Sequence, residues 1–102
     1  MRAADIFVHN IKAGQLIQLS EYNYEFNYDA HYSGSPVSLT MPTKNRSHKF
    51  SSFPAFFEGL LPEGLQLESI LKDKKINRYD LFSLLIACGE NCVGAVTIKD
   101  GK

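Results

Sequence analysis

Tyr22-Asn23-Tyr24-Glu25-Phe26-Asn27-Tyr28 alternates aromatic and polar residues from end to end. Successive side chains of an extended chain point to opposite faces, so this spacing predicts a β-strand with one wholly aromatic face. Such a face has to be covered, and the flanking sequence shows by what. Upstream, Ile6-Phe7-Val8-His9 and Leu16-Ile17-Gln18-Leu19 are short apolar runs separated by Asn10-Ile11-Lys12-Ala13-Gly14. That separation suggests a hairpin, with Asn10 and Gly14 as the residues that tolerate unusual backbone angles. Ile11 would be strained at positive φ, which argues against a two-residue turn centred on Asn10-Ile11. Downstream, Asp29 to Ser35 is turn-forming. Val37, Leu39 and Met41 then alternate with Ser38 and Thr40 between Pro36 and Pro42, which reads as a fourth strand.

After Pro42 the composition shifts. Thr43 to Lys49 (TKNRSHK) is polar and basic, as in an exposed loop. From Phe53 the period becomes helical: Phe53, Phe56, Phe57, Leu60 and Leu61 recur at i, i+3, i+4, i+7 and i+8. Ser52 is the expected N-cap and Pro62 the stop. A second helix is expected to carry Leu67, Ile70 and Leu71 on one face and to end in Lys72, Lys74 and Lys75. A third carries Leu81, Leu84, Leu85 and Cys88, widened by Phe82 and Ile86, with Asn77 as cap and Gly89 at its C-terminal end. Ala95-Val96-Thr97-Ile98 closes the pattern as a strand. The expectation is a single α+β domain over residues 1–102, an antiparallel sheet of four to five strands packed with three α-helices.

A chain of 102 residues builds one core, and its 11 basic and 11 acidic residues cancel. A neutral balance removes the electrostatic drive for non-specific nucleic-acid binding. No apolar run approaches the roughly 20 residues of a membrane span, and Met1 to Asp5 leads into no long apolar region, so neither a membrane anchor nor a secretory leader is expected. Cys88 and Cys92 stand as C-x-x-x-C, and His9, His31 and His48 are scattered. Neither a disulfide framework nor a zinc site follows, and Cys88 reads as a buried structural thiol.

Gly89 to Lys99 (GENCVGAVTIK) loosely imitates a kinase glycine loop and its lysine strand. The middle glycine is missing, a helix precedes it, and no H-R-D or D-F-G follows. A helix end and a turn into a strand account for it better. No carboxylate spacing selects an acid–base pair, so no catalytic residue, cofactor or metal is expected. The basic clusters Lys44, Arg46, His48, Lys49 and Lys72, Lys74, Lys75, Arg78 read as a solvated loop and a helix C-terminal complement. The segment Phe53 to Leu65 (FPAFFEGLLPEGL) is the most informative for function. Its helical stripe is expected to pack on the sheet, whereas the corner Leu61-Pro62-Glu63-Gly64-Leu65 reads as a partner interface, with Phe57 and Glu58 beside it.

The order of motifs resembles the N-terminal subdomain of HipA-type toxin kinases. Phe26-Asn27-Tyr28-Asp29, Pro36 to Pro42 (PVSLTMP), Phe56 to Gly64 (FFEGLLPEG), Asp80 to Leu85 (DLFSLL) and Gly89 to Val96 (GENCVGAV) carry the resemblance, from about Asp5 to Ile98. Asn10-Ile11 departs from the family's Asn-Gly-type turn, and no kinase core follows in this sequence. A free-standing subdomain of this type is similar to the HipS antitoxins of three-part HipBST systems. The resemblance implies a non-enzymatic protein of the bacterial cytoplasm. Its partner would be a HipT/HipA-like serine/threonine kinase toxin, bound and neutralised. A HipB-like helix-turn-helix protein would supply the DNA binding, leaving this chain without direct nucleic-acid or membrane contact.

Overall fold

The computed structural model describes residues 2–89 and 95–101. Strands β1 (Arg2–Val8), β2 (Ile11–Gln18), β3 (Tyr24–Tyr28) and β4 (Ser47–Phe50) precede helices α1 (Ala55–Glu58), α2 (Gly64–Lys74) and α3 (Leu81–Cys88), and β5 (Val96–Asp100) follows. All five strands join one antiparallel sheet in the order β4-β3-β2-β1-β5. The α+β architecture, with five strands and three helices, is the one expected.

Alternation in β3 decides which face is buried. Tyr24, Phe26 and Tyr28 point into the core, whereas Tyr22 falls in the preceding turn and is 67% exposed. Register carries the same face across the sheet: Phe26 pairs with Leu16, Leu16 with Ala4, and Ile6 with Ile98, all fully buried. The opposite face carries Phe7 and Ile17 among mostly polar residues, and several of those polar side chains bond to one another. Gln15 donates to Asp5 at 2.9 Å, Lys12 pairs with Asp5 at 3.6 Å, and Asn27 donates to Glu25 at 3.1 Å.

The β1–β2 hairpin turns one residue earlier than Asn10-Ile11. His9 and Asn10 both take positive φ (50° and 67°), and Val8 pairs with Ile11, the pattern of a type I′ turn. This leaves Ile11 in an ordinary strand conformation and resolves its strain. Gly14 is not a turn residue. It lies in β2 just after a bulge, where a side-chain carbon would collide with the carbonyl of Asn27 on β3.

Three further expectations are corrected. Pro36 to Pro42 is not a strand: Val37 and Met41 are buried, but Leu39 is 95% exposed at the tip of a turn in which Met41 N–H donates to Ser38 C=O at 3.0 Å. The Tyr28 hydroxyl holds this turn, accepting from Val37 N–H at 2.9 Å and donating to the Met41 carbonyl. Burial pushes the Tyr28 phenol above its ordinary pKa, which keeps the donor proton in place. The basic connector contains an edge strand, because Ser47–Phe50 pairs with β3. Finally, the Phe53 stripe builds only one helical turn. Pro54, not Ser52, stands at its N-cap, and Gly59 and Pro62 end it, the chain tightening so that Leu60 and Leu61 N–H bond to Phe57 and Glu58 carbonyls.

Helix α3 is anchored by a polar clasp. Its N-cap is Asp80, whose carboxylate accepts from Ser83 N–H at 3.3 Å, while Asn77 caps the turn before it. Register places Arg2 on the core side at the sheet's end. From there its guanidinium reaches Asp80 at 2.9 Å, Ser83 Oγ at 2.8 Å and Gln18 Oε1 at 2.8 Å, and lies over the Phe82 ring. Gly89 keeps a right-handed φ of −60°. It is a glycine because a side-chain carbon would lie 2.5 Å from the Ile98 carbonyl of β5.

Burial alone would raise the Asp80 pKa, but hydrogen bonds from Arg2 and Ser83 outweigh it and hold the carboxyl below the usual aspartate value. A carboxyl whose folded pKa lies below its unfolded one stabilises the fold above the unfolded value of about 3.9, and loses that contribution as pH falls through the folded value. In urea denaturation across pH, Asp80→Asn is therefore expected to be less stable than wild type near neutrality. That gap should narrow as pH drops below about 4.

Candidate partner interface

The residues predicted for contact separate into core and surface. Phe57 is fully buried: its ring lies 6.2 Å from that of Phe26 and 5.3 Å from that of Phe56. It is a core anchor and offers nothing to a partner, which corrects its place in the expected interface. The helical period had put it on the same stripe as Leu61, but only the sheet contact decides which stripe residue is covered. Leu61 and Pro62 are half-buried at the core's margin, while Glu58, Glu63, Gly64 and Leu65 are exposed. Leu65 is 89% exposed.

Backbone geometry fixes this corner. Gly64 opens α2 with φ at +61°, a conformation that favours glycine, and Glu63 before it is extended. The sharp change of direction places Leu65 on the outside of the first turn of α2. No residue of α2 is fully buried. Leu67, Ile70 and Leu71 make the half-buried stripe that faces α3. Lys75 closes the helix in the left-handed conformation, its N–H bonded to the Leu71 carbonyl. The Glu58 and Glu63 side chains engage no partner among the described residues, so both carboxylates are open to a cation.

The two basic clusters are partly spoken for. Arg46 donates to the Tyr32 carbonyl at 2.9 Å, His48 contacts the Pro42 carbonyl at 3.1 Å, and Arg78 grips both oxygens of Glu68 at 2.6 and 2.7 Å. The aromatic face of β3 lies in the core and offers no platform on which a base could stack. Cys88 is buried at the end of α3, its thiol directed at the Leu85 carbonyl at 3.7 Å; Cys92 and the rest of residues 90–94 in the glycine-loop-like stretch lie outside the described residues. Among the described residues, no group of three or more His, Cys, Asp or Glu side chains is placed to hold a metal ion. No described helix is long and apolar enough to cross a membrane. Sequence reasoning missed the Arg2 clasp; Asp80 and Ser83, spaced as cap and N3, were its one local signal.

The geometry defines the class: a small α+β domain, one face of its sheet covered by short helices and by the excursion between β3 and β4, with an apolar corner at the head of α2. Comparison with known proteins gives its family. The family model described as HipA N-terminal domain matches residues 4–99. A protein of Haemophilus influenzae, itself uncharacterized, is 31% identical over 103 residues, covering all of this chain and 95% of that protein. Among solved structures, the N-terminal domain of HipA toxin is similar with a TM-score of 0.77 at 24% identity, covering 100% of this chain and 94% of that one. This chain belongs to the HipA N-terminal domain family.

Urea denaturation separates the two kinds of residue in the predicted segment. Phe57→Ala is expected to cost about 3–5 kcal/mol, and Gly64→Ala about 1–2 kcal/mol because of its positive φ. Leu65→Asp should stay within about 0.5 kcal/mol of wild type, since almost nothing covers that side chain.

Proposed function

We propose that this chain is a non-catalytic antitoxin that binds and neutralises a HipT/HipA-like serine/threonine kinase toxin. It would act in a three-part bacterial complex whose HipB-like member contacts DNA. The observation that carries this reading is the pairing of a HipA N-terminal domain match with a relative that is almost wholly this domain. In that relative the domain occupies 95% of the protein, so it exists apart from a kinase core. A domain of that kind acts by docking, and the exposed corner Leu61, Pro62, Glu63, Gly64 and Leu65 has the chemistry for it. Leu65 is a nearly bare apolar side chain on a fixed backbone, so little ordering cost would oppose its burial. Glu58 and Glu63 flank it as open carboxylates, suited to orient a Lys or Arg of the kinase. No cofactor enters this reading, and the protein works in the bacterial cytoplasm.

Co-expression with the kinase encoded beside it tests the proposal. The wild-type chain is expected to restore growth. Leu65→Asp or Leu61→Asp should abolish rescue and weaken binding by about thirtyfold, equivalent to about 2 kcal/mol, with the unfolding midpoint of Leu65→Asp unchanged. Binding without any effect on growth or kinase activity would overturn the antitoxin reading and favour a subunit that only bridges the kinase and the DNA-bound repressor.

A further inference from the structure

A second surface, sharing no residue with the Leu61–Leu65 corner, has a binding chemistry of its own. A cleft of about 370 Å³ opens at the Arg2 end of the sheet, where Tyr22 and Tyr79 are both among its lining residues. Tyr22 is 67% exposed and Tyr79 85% exposed. Each is presented by a turn locked through an asparagine. In the first, Asn23 donates its side-chain amide to Ser20 Oγ at 2.8 Å, and the Asn23 carbonyl accepts from Leu19 N–H at 2.8 Å. In the second, Asn77 Oδ1 accepts from Tyr79 N–H at 2.9 Å and the Asn77 carbonyl accepts from Asp80 N–H at 2.9 Å. Two large aromatic side chains are thus held out on pre-set backbones, where contact area comes at small entropic cost.

Charge selects what the cleft takes. Its charged lining residues are Arg2, Asp80 and Glu21, and Arg2 is paired with Asp80 at 2.9 Å. Glu21 has no ion-pair or hydrogen-bond partner among the described residues, and among them the cleft carries one uncompensated negative charge between exposed aromatic rims. That sign disfavours a phosphate and favours a cation. A planar guanidinium meets both features at once, stacking on tyrosine faces and bonding a carboxylate with two N–H groups. The volume suffices for one such side chain with a short length of its backbone.

We propose that this cleft is a docking site for a basic segment of a partner protein, seating an arginine against Tyr22 and Tyr79 with its guanidinium on Glu21. The proposal does not depend on the partner being a kinase. It is tested by NMR titration of the full isotope-labelled chain with a blocked pentapeptide carrying a central arginine, beside the same peptide carrying citrulline or glutamate. The arginine peptide is expected to give saturable shifts confined to the Ser20–Asn23 turn, the Asn77–Asp80 turn and their neighbours, weakening as salt rises. Citrulline should bind at least fivefold more weakly, and Glu21→Gln and Tyr79→Ala should each weaken the arginine peptide about two- to fivefold. Both substitutions lie at exposed positions, and an unchanged amide spectrum elsewhere confirms that the fold is kept. Three results would each overturn the proposal: no saturable shift in the millimolar range, equal binding of citrulline, or stronger binding of the glutamate peptide.

Discussion

Five strands leave one broad apolar face to be covered, and this chain has little helix with which to cover it. Helix α1 is a single turn, α2 buries nothing completely, and α3 has eight residues. Beside Phe82 and Leu85 of α3, the cover is therefore completed by single side chains: Phe57 from the one turn of α1, and Tyr32, Val37 and Met41 thrust in from the irregular excursion between β3 and β4. Irregular backbone carries polar groups that need partners once water is excluded. The Tyr28 hydroxyl answers that need, because it serves the Val37 N–H and the Met41 carbonyl together. One phenol on the aromatic strand β3 thus lets a loop do the work of a layer.

The same economy explains why a bare apolar side chain can sit so close to the core. Phe57 and Leu65 stand eight positions apart, yet one is fully buried and the other almost bare. Between them the chain changes direction at Pro62 and again at Gly64. The packing residue stands before the corner and the bare one after it, so under the proposed function selection could change Leu65 without touching the packing that holds it. Helix α2 is a presented element, tied to α3 by its half-buried Leu67, Ile70 and Leu71 stripe.

Much of this was legible in the sequence, for reasons that can be named. Period-two alternation in Tyr24 to Tyr28 states both the strand and its buried face, because both are local properties of an extended chain. The α3 stripe and the closing strand were legible in the same way. The Pro36–Pro42 segment misled because Val37, Leu39 and Met41 keep strand spacing, while its backbone partners come from Tyr28 and from its own Ser38 turn. Strand β4 was illegible because Ser47 to Phe50 is a polar edge whose identity comes wholly from pairing with β3. The Arg2 clasp joins residues 78 and 81 positions apart, beyond any window of local pattern. At the candidate site the sequence marked the Leu61–Leu65 corner through its Leu-Pro-Glu-Gly-Leu grammar. It placed Phe57 there as well, since a helical period states that a stripe exists but not which member meets the sheet.

The sheet order has a consequence for how the chain is made. β1 precedes the other four strands of its sheet, yet its two neighbours are β2 and β5. During translation the β1–β2 hairpin can close early around its tight His9-Asn10 turn, and β3 and β4 can add to it in sequence. The other flank of β1 stays open all this while, with its backbone donors and acceptors unpaired beside buried-type residues Ile6 and Val8. Only when Val96–Asp100 has left the ribosome is that flank sealed. From the emergence of β1 until that of β5 the nascent chain therefore carries a sticky strand edge, and Val96–Asp100 is the latch that ends its exposure to aggregation.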